Sequence, residues 1–158
     1  MSRGQHAAVL AGVLVASGSA AACELVLTEF RSGRELARLP LDSRSPAARI
    51  AFTHSVLGTP VADHYIWRHD AGAWRAHLVE EHYEGEGYGL PNAAAPGETL
   101  VRDGAGWRLS LDRVVDPLVV VPLSAQRMRV ATDGNGTVLL ASLTRASVAL
   151  GVSGCAVD

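Results

Sequence analysis

The residues of this chain best suited to chemistry are a histidine, a serine and an aspartate that lie close together in the sequence. His54 precedes Ser55, and Asp63 follows eight residues later. Serine, histidine and aspartate together can form a nucleophilic triad. Residues 49–56 alternate between apolar and polar types as a strand does, and neighbouring side chains on a strand point to opposite faces. His54 therefore cannot take a proton from Ser55 in such a strand, and the sequence predicts no catalytic residues.

His54 shares the apolar face of this predicted strand. The other residues of that face are Ile50, Phe52 and Val56. A lone histidine on an apolar face is usually a hydrogen-bonded core residue, and Asp63 is the natural partner because the turn at residues 58–60 can return it to His54. We expect such a pair to order the turn, with Thr59 capping backbone groups. A ligand-binding role for His54 remains the alternative.

Four histidines fall on one predicted hairpin and raise the question of a metal. They are His64, His69, His77 and His82. His77 and His82 are five residues apart, which in a regular strand places them on opposite faces, and the four-residue spacing of a zinc-binding helix is absent. His64 could pair with His77 across the strands if the register permits it. The sequence therefore predicts no specific metal site, and it predicts no cofactor.

A second group of interest is the glycine-rich segment Gly85-Glu86-Gly87-Tyr88-Gly89. Its G-x-G is flanked by a strand and a proline, whereas a dinucleotide fingerprint joins a strand to a helix. The simpler interpretation is a loop that needs positive φ at several positions. If this loop lies beside the His54 turn, the two form one candidate binding surface with Tyr88, Glu84 and Glu86 around it.

The elements that would position these residues are short strands with a period of two. The predicted strands are residues 24–31, 34–41, 49–56, 61–69, 74–83, 99–102, 107–113, 118–123, 126–132, 137–143 and 147–152. About ten strands with a turn every 8–12 residues are typical of a single small antiparallel β-sandwich or partly closed β-barrel. The predicted fold class is therefore all-β. In such a sheet the first and last strands can be neighbours, which would bring Cys23 and Cys155 together.

The N-terminus has the plan of an export signal. Arg3 is followed by small apolar residues over 7–16 and by small residues over 17–22. Such a charged, apolar and small-residue sequence is typical of a signal peptide, and the apolar run is shorter than the roughly 20 residues that span a bilayer. We therefore expect a signal peptide over residues 1–22 and one domain over residues 23–158. A signal peptide would direct the protein out of the cytoplasm, so we expect it in the periplasm or at the outer face of the cytoplasmic membrane.

The two cysteines and the overall charge restrict the partners. Cys23 and Cys155 can form a disulfide in an oxidising compartment, Cys23 can carry a lipid, or both thiols can be unpaired. Lipidation of Cys23 or an uncleaved signal would associate the protein with a membrane. The formal net charge is −2 and the basic residues are scattered. This pattern argues against a nucleic-acid partner.

Three segments together resemble a known family, the domain of unknown function 1850. They are residues 52–56, 59–65 and 87–91, which resemble the family pattern H-S-V-x-x-T-P-V-x-E followed by G-x-G-L-P. Asp63 stands where the family usually has glutamate. The resemblance extends over the whole of residues 23–158. The motif and loop positions taken as candidate binding residues are His54, Ser55, Thr59, Pro60, Asp63, Gly87, Tyr88, Gly89, Leu90 and Pro91.

The resemblance implies a function as well as a motif. Members of the family are small exported proteins often encoded beside TAXI-type TRAP transporters of organic acids, and no established catalytic activity comes with them. The resemblance implies a non-enzymatic accessory or binding module. Its expected partner is the membrane subunit of a TRAP transporter or the solute-binding protein of that transporter. The alternatives are a small periplasmic enzyme that uses His54 and Asp63 as an acid/base pair and a purely structural scaffold.

Overall fold

The computed structural model describes residues 22–157, and these form eleven β-strands with two short 3₁₀ helices. The strands are β1 (Glu24–Glu29), β2 (Glu35–Pro40), β3 (Ala47–Thr53), β4 (Pro60–Asp70), β5 (Ala73–Tyr83), β6 (Thr99–Asp103), β7 (Gly106–Val115), β8 (Leu118–Val120), β9 (Arg129–Thr132), β10 (Thr137–Leu139) and β11 (Val148–Ser153). The 3₁₀ helices are Ser124–Gln126 and Leu140–Ser142.

The strands form two antiparallel sheets. A four-stranded sheet has the order β2-β1-β11-β8, and a seven-stranded sheet has the order β10-β9-β3-β4-β5-β7-β6. The arrangement is sandwich-like and is not a closed barrel. The prediction of an all-β antiparallel sandwich is confirmed.

The core lies between the inner faces of the two sheets and follows the alternation of the sequence. Leu25 and Leu27 of β1 are fully buried, as are Ile50 of β3, Leu109 of β7 and Val130 of β9. Alternate residues of a strand point to the same face, so each strand contributes a row of apolar side chains. Burying one side chain of this size stabilises the fold by about 1.5–3 kcal/mol.

The first and last strands are neighbours, as expected. β1 pairs with β11 in antiparallel register, and Glu24 lies opposite Ser153. Cys23 and Cys155 extend from these strand ends and are joined by a disulfide bond. The predicted pairing of the two cysteines is confirmed, and the sulfur of Cys23 is taken up by this bond.

Several predicted strands end earlier in the structure. The strand predicted to reach Val56 ends at Thr53, so His54 lies in the following turn and not on the strand. The strand predicted to reach Leu123 ends at Val120. The 3₁₀ helices take up the start of the predicted strand 126–132 and the end of 137–143.

A β-bulge in β5 determines which histidines share a face. His64 lies opposite Glu80, but the next residue of β4, Tyr65, lies opposite Leu78, so Val79 is left without a partner. Ala62, His64 and Ile66 alternate along β4 and share its outer face, and their partners His82, Glu80 and His77 therefore share it too. The expectation that His77 and His82 lie on opposite faces is wrong, and His77 lies opposite Ile66 instead of His64.

The predicted signal peptide falls almost entirely on residues 1–21, which lie outside the described residues. Within residues 22–157, no helix has the length and apolar character needed to cross a bilayer.

Candidate functional site

The turn after β3 and the glycine-rich loop after β5 lie against each other. The Thr59 hydroxyl donates a hydrogen bond of 2.7 Å to the carbonyl oxygen of Glu84. Gly85 lies so close to the turn that a Cβ there would be 2.9 Å from Cδ1 of Leu57. The structure thus brings together the two segments that the sequence left 25 residues apart.

The side chain of His54 closes the turn over residues 54–59. Its Nδ1 accepts hydrogen bonds from the backbone N–H groups of Val56 and Leu57, each at 3.2 Å. The backbone of His54 completes the turn by donating to the carbonyl oxygen of Thr59 and accepting from the N–H of Gly58. Because Nδ1 is an acceptor, the hydrogen of the neutral ring lies on Nε2 and can be donated to another group.

The expected hydrogen bond between His54 and Asp63 does not occur in the part of the chain that the structure describes. The acceptor that orders the turn is the histidine ring itself, and it bonds to backbone groups three residues or fewer away. Thr59 does bond to a backbone group, but its hydroxyl donates to the carbonyl oxygen of Glu84 in the neighbouring loop and not within its own turn. The expectation that a His54–Asp63 pair orders the turn is wrong.

The glycine-rich loop makes a tight reversal at Tyr88. Tyr88 and Gly89 have φ values of 54° and 94°. The N–H of Leu90 donates to the carbonyl oxygen of Gly87 at 3.1 Å. Two successive residues with positive φ are the requirement of a type I′ turn, and a residue other than glycine adopts this conformation at some cost. The turn leaves Tyr88 largely exposed, at 72 % of its full accessible surface.

The two loops and the end of the seven-stranded sheet line a cavity of about 250 Å³ that is open to solvent on one side. Seven of the sequence-predicted residues line it, namely His54, Ser55, Asp63, Tyr88, Gly89, Leu90 and Pro91. Phe52, Val61, Glu81, Tyr83 and Gln126 complete the lining.

Five residues assigned to the surface from the sequence do not line this cavity. Thr59 ties the two loops together, Pro60 begins β4, and Gly87 pairs with Leu90 in an isolated bridge. Glu84 accepts the Thr59 hydrogen bond through its backbone, and Glu86 lies 3.6 Å from Arg102. These residues shape or flank the cavity.

Two carboxyl groups lie side by side in the wall of the cavity. Asp63 of β4 is directly opposite Glu81 of β5. Ile50 lies opposite Asp63 on one side and Leu109 lies opposite Glu81 on the other. Residues that are directly opposite in antiparallel strands share a face, so the two carboxyl groups interrupt an apolar row on the inner face of the sheet.

Burial makes ionisation of this pair costly. Removal from water, and then the negative charge of Glu81, raises the pKa of Asp63 from 3.8 to about 7. Burial also raises the pKa of Glu81, while the charge of Arg113 opposes that rise. The pKa of the neighbouring Tyr65 is raised first by burial and then by Asp63 and Glu81.

Neither carboxyl group has a cationic partner among residues 22–157. No arginine or histidine lies within 4.0 Å of either, and Oε2 of Glu81 is buried without a hydrogen bond. The nearby guanidinium of Arg113 instead bonds to Glu98. A buried carboxyl oxygen without a partner loses the hydrogen bonds that water would supply. The pair is therefore suited to accept hydrogen bonds or positive charge from an incoming group.

The sequence did not single out Glu81. It lies within the run His77-Leu78-Val79-Glu80-Glu81-His82, which reads as an ordinary strand. The signal that could have found it is its place opposite Asp63, and that depends on the register of the β4–β5 hairpin and on the bulge at Val79.

Comparison with known proteins gives one match. Residues 49–139, more than half of the chain, match the model of a family described as a domain of unknown function (DUF1850). The matched region holds the His54 turn, both carboxyl groups and the glycine-rich loop. No curated protein and no solved structure matches the chain.

Proposed function

This chain belongs to the DUF1850 family, and we propose that it is a non-enzymatic binding module whose cavity receives a basic side chain of a partner protein. The observation that carries the proposal is the pair of partly buried carboxyl groups, Asp63 and Glu81, which have no cationic partner among the described residues. A guanidinium or ammonium group placed between them would supply the missing charge and hydrogen-bond donors.

The lining of the cavity supports a basic side chain as its occupant. The cavity walls are aromatic and aliphatic, with Phe52, Val61, Tyr83 and Leu90 beside the two carboxyl groups. Such walls suit the aliphatic stem of lysine or arginine, whose charged end would reach Asp63 and Glu81.

The rim of the cavity supports a protein as the source of that side chain. Tyr88 lies at the rim and is 72 % exposed, and Val56, which follows the lining residue Ser55, is 62 % exposed. Exposed aromatic and apolar residues are a common composition for the contact region of a protein interface. The N–H at Nε2 of His54 adds one donor for a backbone carbonyl of the partner.

The proposed partner is a TAXI-type TRAP transporter, through its membrane subunit or its solute-binding protein, at the outer face of the cytoplasmic membrane. The family resemblance supports this choice, since such transporters are often encoded beside the family. The signal-like pattern of residues 1–22 supports an exported protein. The disulfide between Cys23 and Cys155 suits an oxidising compartment.

Affinity capture tests this proposal. The protein is used as bait on solubilised membranes from cells with and without the transporter genes. We expect the wild-type chain and an Asp70→Asn control to enrich transporter subunits, and a variant with both Asp63→Asn and Glu81→Gln to lose that enrichment. Asp70 lies on the same strand and its side chain is 64 % exposed, so it matches the chemical change outside the cavity. Equal enrichment by the double variant, or none by the wild type, would contradict the proposal.

A small periplasmic enzyme is the second candidate, because His54 and Asp63 line one cavity. An acid and a base that both face a bound group can move protons in the same reaction. His54→Gln separates the two candidates. As an enzyme, the folded variant loses turnover of any substrate found by screening. As a binding module, it changes only stability or partner affinity.

A further inference from the structure

The outer face of the seven-stranded sheet carries a second group of side chains that could act together. Glu80 and His82 are two residues apart on β5 and point to the same side. His64 of β4 lies directly opposite Glu80 and diagonally from His82. Three residues with metal-binding side chains thus converge on one patch of the sheet surface.

The potential ligand atoms of this group are close together. One ligand atom from each of His64, Glu80 and His82 lies within 4.8 Å of the other two. Nε2 of His82 is 2.7 Å from Oε1 of Glu80, and the two imidazole rings are 5.5 Å apart between centroids. All three side chains are partly buried, so strand geometry and neighbouring residues restrict their positions.

From this geometry we propose that His64, Glu80 and His82 form a divalent metal site with zinc as its ion. Two imidazole nitrogens and one carboxylate oxygen are donors that zinc commonly takes from proteins. Three protein ligands leave one tetrahedral position for water or another small ligand. Zn–N and Zn–O distances near 2 Å place neighbouring ligand atoms of a tetrahedral site about 3.3 Å apart, so side-chain rotations must move the ligand atoms, which now lie within 4.8 Å of one another, by up to about 1.5 Å.

Asp103 would support the ligand His82 from outside the site. Its Oδ2 lies 3.6 Å from Nδ1 of His82, on the side of the ring away from Glu80. With a shift from 3.6 Å to hydrogen-bond distance, this carboxylate would accept from Nδ1, orient the imidazole and leave Nε2 to face the metal. Asp103→Asn should therefore weaken zinc binding about tenfold.

Two arginines have positions that oppose the site. Arg49 lies directly opposite His64 on β3 and Arg108 lies directly opposite His82 on β7, so both positive charges are on the same face of the sheet. Repulsion between each guanidinium and a divalent ion lowers the affinity of the site. Arg49→Gln should consequently tighten zinc binding several-fold, which a site elsewhere on the chain would not show.

This site is independent of the proposed partner-binding cavity. His64 and Asp63 are adjacent on β4 and point to opposite faces, as Glu80 and Glu81 do on β5. The metal patch lies on the outer face and the cavity on the inner face. Failure of one proposal therefore leaves the other unaffected.

Calorimetric titration of the untagged protein with zinc chloride tests the site. Variants His64→Ala and His82→Ala remove one ligand each, and His69→Ala is the matched control on the same hairpin. We expect at least a tenfold loss of zinc affinity in the two ligand variants and wild-type affinity in the control. Equal affinity in all four proteins would overturn the proposal, as would an equal loss in the control.

Melting temperatures and Co²⁺ absorption show whether each variant is folded and whether it holds the metal. Each variant must have a metal-free melting temperature close to that of the wild type, and zinc must raise the wild-type value more than those of the ligand variants. Bound Co²⁺ in place of zinc should give the intense visible absorption of a tetrahedral site. Absence of that absorption in the wild type, or its persistence in the folded His82→Ala variant, would count against this ligand set.

Discussion

Asp63 and Glu81 define the candidate site at the scale of single residues. Each would be an ordinary surface carboxylate in water, and the sheet instead places both between Ile50 and Leu109 in a buried row. Burial makes the ionised form of Asp63 unfavourable, so its pKa rises to about 7. Ionisation of this group therefore lowers the stability of the folded protein. Groups that lower stability in this way are often kept for function.

The first prediction concerns the pH dependence of stability. In the folded protein Asp63 keeps its proton up to about pH 7, whereas in the unfolded chain it loses the proton near pH 3.8. Between these values the folded state binds more protons, so the free energy of unfolding falls as pH rises and levels off above about pH 7. Asp63→Asn should remove a decline on the order of 4 kcal/mol. Urea unfolding from pH 4 to pH 8, with a chelator present, measures it.

Asp70→Asn on the same strand is the control for this experiment. Its side chain is 64 % exposed, so the variant should follow the wild-type pH profile. A decline in the Asp63→Asn protein as steep as that of the wild type would show that the cost lies elsewhere.

The second prediction concerns the ring of His54. His54→Ala leaves the N–H groups of Val56 and Leu57 without their acceptor and should lower the free energy of unfolding by about 1–2 kcal/mol. His54→Asn places an amide oxygen close to the position of Nδ1 and should retain most of that stability. Equal losses in the two variants, measured by urea unfolding, would argue against this capping role.

At the scale of elements, the alternating pattern was enough to predict nearly every strand. The period of two reports which side chains are buried, and burial is what the sheets require. The ends of strands were harder, because they depend on side-chain hydrogen bonds that alternation does not encode. Residues 54–56 continue the alternation of β3. The strand nevertheless ends at Thr53, because Nδ1 of His54 accepts a hydrogen bond from the N–H of Val56 and stabilises a turn.

Register was the other feature that alternation could not supply. The bulge at Val79 determines that His64 lies opposite Glu80 and that Asp63 lies opposite Glu81. An extra residue in one strand changes the pairing free energy only slightly. Leu78 and Val79 are both apolar, so the residue types do not indicate which of them is the extra one. The meeting of the two loops could therefore be stated from the sequence as a hypothesis, while Glu81 and the histidine pairing were missed.

The third prediction tests how the two sheets are held together. At Gly134, in the β9–β10 turn, a Cβ would lie 2.5 Å from the carbonyl oxygen of Pro40 at the end of β2. That oxygen also accepts a hydrogen bond of 2.7 Å from the hydroxyl of Thr132. Gly134→Ala should therefore lower the free energy of unfolding by about 1–3 kcal/mol, measured by urea unfolding.

Gly151→Ala provides the matched comparison. Gly151 lies on β11, where an added Cβ would meet no atom within 4 Å. This variant should change the free energy of unfolding by less than about 0.5 kcal/mol. A loss at Gly151 as large as that at Gly134 would mean that the contact with Pro40 is not the cause.

At the scale of the whole molecule, the disulfide closes almost the entire described chain. Cys23 and Cys155 are 132 residues apart, and they meet because β1 and β11 are neighbours. The fourth prediction is that changing both cysteines to serine lowers the free energy of unfolding by about 4–5 kcal/mol, the chain-entropy value for so long a loop. Urea unfolding with and without a reductant checks it.

The reductant supplies the internal control. It should lower the unfolding midpoint of the wild type and leave that of the double serine variant unchanged. A double variant as stable as the oxidised wild type would show that the paired strands alone determine the stability.

The central claim is that the two loops and the carboxyl pair form one site for a basic group, and a nuclear magnetic resonance titration with the butylguanidinium ion tests it most directly. This ion carries the charged end and stem of an arginine side chain without the rest of a partner. We predict saturable shifts of backbone amide signals confined to the segments that line the cavity, residues 52–63, 81–91 and 126, and their loss in the protein with both Asp63→Asn and Glu81→Gln. Shifts that persist in that folded variant, or that fall on other parts of the sandwich, would contradict the account.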